Sequence, residues 1–241
     1  MRIAGYIIVI SAYIRGGTPL EYSISFTGGY DNNVMRFSKE EFERAAVNPL
    51  VMGGSKTFDS FVSKLNISAK KSVLNMRKKS LVVGASYTIS DYAQTPEKKY
   101  WSGGVDIAYK WGPYRNLKYA VRHLNNFYLR HYVDRDISTT QLAPCLFTDR
   151  DQSIQLTQKV MKRSWFSIGG GYLQRYYKKP FAEFDLDISY LKGRLNYKIR
   201  NFGTVGVQVS RGRALSKSHH LPYRPSSFNR SYQTTEWYLP L

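Results

Sequence analysis

Trp101, Val105, Ile107, Tyr109 and Trp111 fall on one face of an extended segment, and Ser102, Gly104, Asp106, Ala108 and Lys110 fall on the other. This period of two marks a strand whose faces meet different surroundings. The stretch from Leu81 to Ser90 repeats it, with Leu81, Val83, Ala85, Tyr87 and Ile89 opposed to Gly84, Ser86, Thr88 and Ser90. The same pattern predicts strands over 20–30, 57–69, 80–92, 99–112, 116–129, 152–161, 164–177, 188–199, 204–214 and 230–239. Short turns at 112–115, 162–163 and 200–203 alternate with longer polar connections at 31–56, 93–98, 130–151, 178–187 and 215–229. Turns at one end, loops at the other and long strands predict an all-β fold. Its form is a transmembrane antiparallel up-and-down β-barrel of about ten strands (range about 8–12), with short periplasmic turns and long extracellular loops.

The first residues modify this picture. After Arg2, an apolar run from Ile3 to Ile14 is too short to span a bilayer and has the length of a signal-peptide core. Residues 1–17 are therefore expected to be a signal peptide and 18–241 the barrel, the competing assignment of the run being a buried first strand. No other apolar stretch reaches the roughly 18 residues that a membrane helix needs. No linker or duplication argues for a second domain.

Composition adds charge and aromatic rings. The 241 residues carry a formal net charge of +19 and include 20 Tyr, 12 Phe and 4 Trp. Long-range attraction then favours anionic partners: nucleic acid, acidic saccharide, phospholipid or lipopolysaccharide. Trp101 and Trp111, Tyr87 and Tyr92, Tyr176 and Tyr177, and Trp237 and Tyr238 sit near strand ends, where interfacial girdles would lie. The single cysteine, Cys145, excludes a disulfide framework and a cysteine-based zinc site.

In this pattern the chain resembles bacterial outer-membrane β-barrel proteins. Gly29-Tyr30-Asp31-Asn32-Asn33-Val34-Met35-Arg36-Phe37-Ser38 and Asn126-Phe127-Tyr128-Leu129-Arg130-His131-Tyr132-Val133-Asp134-Arg135-Asp136 make it similar to an uncharacterised family of them. The resemblance implies location in the bacterial outer membrane, contact with membrane lipid and lipopolysaccharide, and handling by the barrel-assembly machinery. It implies no activity. Such barrels commonly end on an aromatic residue, whereas this sequence ends Trp237-Tyr238-Leu239-Pro240-Leu241. Either that signal is degenerate or the sequence is incomplete.

If the apolar faces meet lipid, the opposite faces line a porin-like lumen. They carry Lys64, Lys110, Lys118, Arg122, Lys159, Arg175, Lys192, Arg194 and Lys198, with Asp106 the acid placed among them. Two arrangements can hold so many cations. They line a wet, narrow passage that prefers small anionic solutes, or acids from inward-folded loops pair with them in a plugged barrel. The candidate acids are Glu40, Glu41, Glu43, Asp134, Asp136, Asp149 and Asp151. At the outer rim Lys178, Lys179, Arg211, Arg213, Lys217 and Arg224 are expected to meet lipopolysaccharide phosphates.

Catalytic signals are sparse. His131 and the pair His219-His220 could hold a metal or serve as a base, and Asp185 with Asp187 forms a carboxylate pair able to activate water, but no His-x-Asp partner accompanies it. His123 falls on an apolar face without a serine nucleophile nearby. Gly169-Gly170-Gly171 lacks the Lys and helix of a phosphate loop and reads as glycine where a strand bends or where a bulky luminal side chain or a plug approaches closely. No cofactor or metal is expected. Two alternatives from other classes remain, an outer-membrane hydrolase and a soluble basic β-protein binding nucleic acid through aromatic stacking; the latter leaves the long strands and one-sided loops without a reason.

Overall fold

Each segment with a period of two forms a strand, and each strand pairs antiparallel with the one before it. A computed structural model describes residues 8–10, 19–53, 55–134, 141–200, 203–217 and 230–239. The strands are β1 (Ile8–Ile10), β2 (Leu20–Asp31), β3 (Ser60–Met76), β4 (Lys79–Tyr92), β5 (Tyr100–Gly112), β6 (Arg115–Val133), β7 (Leu142–Lys159), β8 (Ser164–Tyr177), β9 (Leu186–Ile199), β10 (Gly203–Ser216) and β11 (Tyr232–Tyr238). Strands β2 to β11 are the ten that alternation predicts. The short β1 lies inside the segment expected to be a signal and pairs with Ile24–Phe26 of β2. Among the described residues β1 and β11, the two edges of the sheet, are not paired with each other.

Two boundaries differ from expectation. Strand β3 continues past residue 69 to Met76, where Arg77 and Lys78 turn the chain, with Lys78 at a φ of 68°. The expected loop 130–151 is largely strand, because β6 runs to Val133 and β7 begins at Leu142. Register shifts between Leu124 and Phe127 and between Tyr128 and His131 break the alternation there. Such bulges insert residues that erase a period-two signal, and the polar run Asp149-Arg150-Asp151 completes the disguise.

Register carries one polar face across the sheet. Asn66 lies opposite Thr88, Thr88 opposite Ser102, Arg122 opposite Asp151, and Ser210 between Lys192 and Glu236. Asn66 on β3 and Glu236 on β11 line the same cavity, so the sheet curls round this face. The opposite face is apolar and turned outward: Ile168, Leu191, Leu195 and Trp237 are 54%, 67%, 56% and 73% exposed. This inverts the usual arrangement of a folded domain, in which apolar residues fill the interior.

Aromatic side chains follow the same parity. Tyr87 meets Trp101 on the outward face at a ring separation of 5.6 Å, and Tyr109 meets Trp111 at 5.7 Å toward the turn end. Tyr92, Tyr177 and Tyr238, expected in the girdles, fall instead on the inward parity, since Tyr92 continues the even positions of β4, Tyr177 the odd positions of β8 and Tyr238 the even positions of β11. There Tyr177 belongs to a run of rings, Tyr100 to Phe127 to Phe147 to Tyr177, spaced 5.0, 5.3 and 5.5 Å.

The connection 32–59 forms a cap at the loop end. Its helix α1 (Lys39–Val47) starts at a capping box in which Ser38 and Glu41 satisfy each other's backbone N–H groups. Met35, Phe37, Ala45 and Met52 of the connection are buried with Tyr128 of β6, and the Phe58 ring packs tilted against Phe42 at 4.4 Å. Glu41 holds Arg130 of β6 at 2.6 Å, and Ser55 meets Thr95 of the β4–β5 connection at 3.2 Å. The cap thus reaches from β2 to β6 across the intervening loop ends.

Glycine serves space on the inward face. A Cβ at Gly171 would overlap the Tyr190 ring and press on the backbone oxygen of Gln152, whereas one at Gly29 meets nothing within 4 Å. Gly171→Ala is expected to destabilise the fold by about 1–3 kcal/mol, as overpacking does. Gly29→Ala is expected to leave the urea midpoint unchanged.

Candidate functional site

The polar face encloses a cavity of about 650 Å³ bordered by strands from β3 to β11. A smaller cavity of about 220 Å³ adjoins it toward the turn end, sharing Tyr190 and Lys192. Alternation along each strand places these side chains inward, and inward glycines leave room for the longest of them. Tyr190 lies over Gly171, Arg122 lies against Gly104, and Asp106 lies against Gly84.

All nine basic residues predicted for the lumen lie on the inward parity. Lys64 is opposite Ser90, Lys110 opposite Ser80, Lys118 opposite Gln155, Arg122 opposite Asp151, and Lys159 opposite Trp165. Arg175 is opposite Asp149, Lys192 opposite Gly169, Arg194 opposite Ser167, and Lys198 opposite Thr204. Only some of them are brought to the cavities: Arg122 and Lys192 line the larger, Lys192 and Arg194 the smaller.

The interior holds more acid than alternation alone assigns to it. Asp149 and Asp151, expected in a loop, belong to β7 and point inward with Asp106, and Glu236 joins them from β11. Arg175 donates to Asp149 through two nitrogens at 2.9 and 2.8 Å while its guanidinium lies 4.5 Å from the Phe147 ring. Such a fork is the strong form of a charged hydrogen bond. Lys118 pairs with Asp106 at 3.2 Å, and the Tyr190 hydroxyl donates to Asp151 at 2.8 Å. Pairing therefore comes from neighbouring strands. Of the loop acids expected to supply it, Glu41 pairs with Arg130 at the loop end, and Asp136 lies outside the described residues.

At the loop end, Lys98 is 7% exposed, with its ammonium over the Tyr128 ring at 5.7 Å. Burial pushes this amine down to about 8, with repulsion from Arg36 and Arg130 adding to the shift and Asp31 opposing it. The Glu41 carboxyl is held below its ordinary value by the Ser38 backbone N–H and by Arg130.

The catalytic candidates are engaged in structure. Asp185 accepts the backbone N–H of Tyr177 at 2.6 Å, and burial raises its carboxyl. Asp187 accepts from the Tyr176 hydroxyl at 3.2 Å. His131 Nδ1 meets the Tyr128 hydroxyl at 2.6 Å, and His123 packs on Trp101 on the outward face. His219 and His220 lie outside the described residues. Among the described residues no three His, Cys, Asp or Glu side chains gather as a metal site would require. No protein-family model, curated protein or solved structure matches the chain.

Two measurements probe this interior. Asp149→Asn leaves Arg175 without its partner and is expected to cost about 1–3 kcal/mol in the urea midpoint, below the value for fully buried pairs because Arg175 keeps partial exposure; Asp149→Leu with Arg175→Met is expected to recover most of it. For Lys98 the folded value of about 8 lies below the ordinary 10.5, so the unfolded chain binds more protons between them. Stability is expected to rise with pH from about 8 to 10.5. Lys98→Met is expected to flatten that rise.

Proposed function

We propose that this protein is a bacterial outer-membrane β-barrel whose polar lumen admits small anionic solutes. One observation carries the reading: across nine consecutive strands, β3 to β11, the polar face lines the cavity and the apolar face is exposed. In water that exposure leaves a large apolar surface hydrated. A bilayer removes it at no cost to the backbone if the strands close into a barrel, because each N–H and C=O is then held by a neighbouring strand. Residues 1–17 act as the export signal on this reading, and pairing at the remaining edge closes the barrel.

Solute preference follows from the inward charges. Asp106, Asp149, Asp151 and Glu236, with Glu21 and Asp31 on the inward parity of β2, do not balance the nine inward cations and Lys70, and an uncompensated basic wall favours anions. Outside, Arg213 stands on the outward parity toward the loop end of β10, where phosphates of lipopolysaccharide would sit. A second reading, a plugged structural barrel, is favoured by the cap that spans β2 to β6 at the loop end.

Fractionation and electrical recording test these readings. The protein is expected in the outer membrane with heat-modifiable gel mobility, and recovery as a soluble protein refutes the proposal. In planar bilayers a small conductance with anion preference is expected; a silent bilayer favours the plugged barrel, and cation preference refutes the anion passage. Leu195→Arg on the outward face is expected to cost about 2–4 kcal/mol in lipid vesicles. Ser86→Arg, facing the larger cavity, is expected to be tolerated.

A further inference from the structure

The inward cations are not distributed evenly. On the wall built by β5 to β8 three of the five face acids: Lys118 pairs with Asp106, Arg175 with Asp149, and Arg122 lies opposite Asp151, whereas Lys110 and Lys159 lie opposite Ser80 and Trp165. On β9 the situation is different. Lys192 and Arg194 occupy successive inward positions, about 7 Å apart along a strand, and Lys198 continues the same face toward the turn end.

The register rows around them are neutral. Lys192 lies between Gly169 and Ser210, and Arg194 between Ser167 and Gln208. Among the described residues neither cation has a carboxylate within ion-pair distance: Lys192 sits 4.6 Å from the Tyr190 ring, and Arg194 Nε donates to Asn196 at 2.7 Å. On the register row of Lys192 the acid is Glu236, two strands away beside Ser210, and Asp151 on β7 accepts from Tyr190. Both line the larger cavity and neither lines the smaller.

The smaller cavity is therefore walled by two cations and by neutral hydrogen-bonding groups, with no carboxylate in its lining. Ser153, Gln155, Ser167 and Gln208 supply the neutral polar groups, and Tyr190 adds its side chain. Unpaired cations in a confined space call for water or an anion. Donors beside two cations satisfy the several lone pairs of an oxoanion and can also hold hydroxyl groups next to it.

We infer that the 220 Å³ cavity on β9 is a binding subsite for a small solute bearing an anionic oxygen group, a phosphate or a carboxylate, held by Lys192 and Arg194. It refines the proposed anion passage and rests on that reading for its access from solvent. It also separates these two cations from Lys118 and Arg175, whose charge is spent on their own acids.

Equilibrium binding and conductance test the subsite separately. Isothermal calorimetry of the full chain in non-ionic micelles with inorganic phosphate and with glucuronate, at constant ionic strength, is expected to show binding of at least one, the tighter identifying phosphate or carboxylate as the group. Lys192→Met with Arg194→Met is expected to lower the affinity more than tenfold. Lys64→Met with Lys110→Met, which removes equal charge from the same face, is expected to stay within threefold. The charge-keeping exchange Lys192→Arg with Arg194→Lys is expected to retain binding and so separates loss of charge from loss of fold. Absence of binding by both probes, or equal loss in the two Met pairs, overturns the subsite. Planar-bilayer recordings on the same preparations report on the passage: binding without conductance keeps the subsite and removes the passage, and conductance without binding does the reverse.

Discussion

The alternation of side chains across a hydrogen-bonded strand is the constraint on which the rest of this molecule depends. Once the register of neighbouring strands is fixed, each side chain is committed to one of two faces, and a slip of one residue would exchange them. Here ten strands hold the same phase, so Ser, Thr, Asn, Asp, Lys and Arg accumulate on the inward face and branched and aromatic residues accumulate outside. The outward residues are well over a third exposed at Ile168, Leu191 and Leu195, which a soluble domain would bury. On the proposed reading, lipid would cover this apolar face while the sheet holds the backbone hydrogen bonds.

An interior of this kind must solve a charge problem in place of a packing problem. Part of the solution is local: Asp106, Asp149 and Asp151 sit on or opposite the strands that carry Lys118, Arg175 and Arg122, so cross-strand pairs form without any loop entering. The remainder is steric. Inward glycines give Tyr190, Arg122 and Asp106 room to lie flat across the neighbouring strand, which keeps space open at the centre. The inward cations along β9 receive no such neutralisation, so charge is unevenly paired across the inward face.

The loop end obeys ordinary rules of packing. Phe37, Phe42, Phe58, Met35 and Met52 gather on Tyr128, and the Glu41–Arg130 pair fixes the helix to β6. Each buried Phe or Met is worth roughly 1.5–3 kcal/mol, enough to hold a short cap that would not be helical alone. Lys98 is the exception in this cluster, a buried amine beside two guanidinium groups, and its protonation opposes the packing that surrounds it.

Legibility in the sequence tracked how local each property is. Alternation determined that the chain is all-β, that the strands follow one another up and down, and that Lys64, Lys110, Lys118, Arg122, Lys159, Arg175, Lys192, Arg194 and Lys198 share one face, because facing is a property of a single strand. The room kept by the glycines around Gly171 was legible for the same reason. Bulges at Asn125-Asn126 and beyond Tyr128 broke the count, so Asp149 and Asp151 read as loop and the interior read as more basic than it is. The inward positions of Tyr92 and Tyr177, the cap across the loop end and the contrast between paired and unpaired cations were decided only by the tertiary structure. They depend on which strand lies beside which and on how far one connection reaches, and distances between strands far apart in the chain are not written in the period of any one of them.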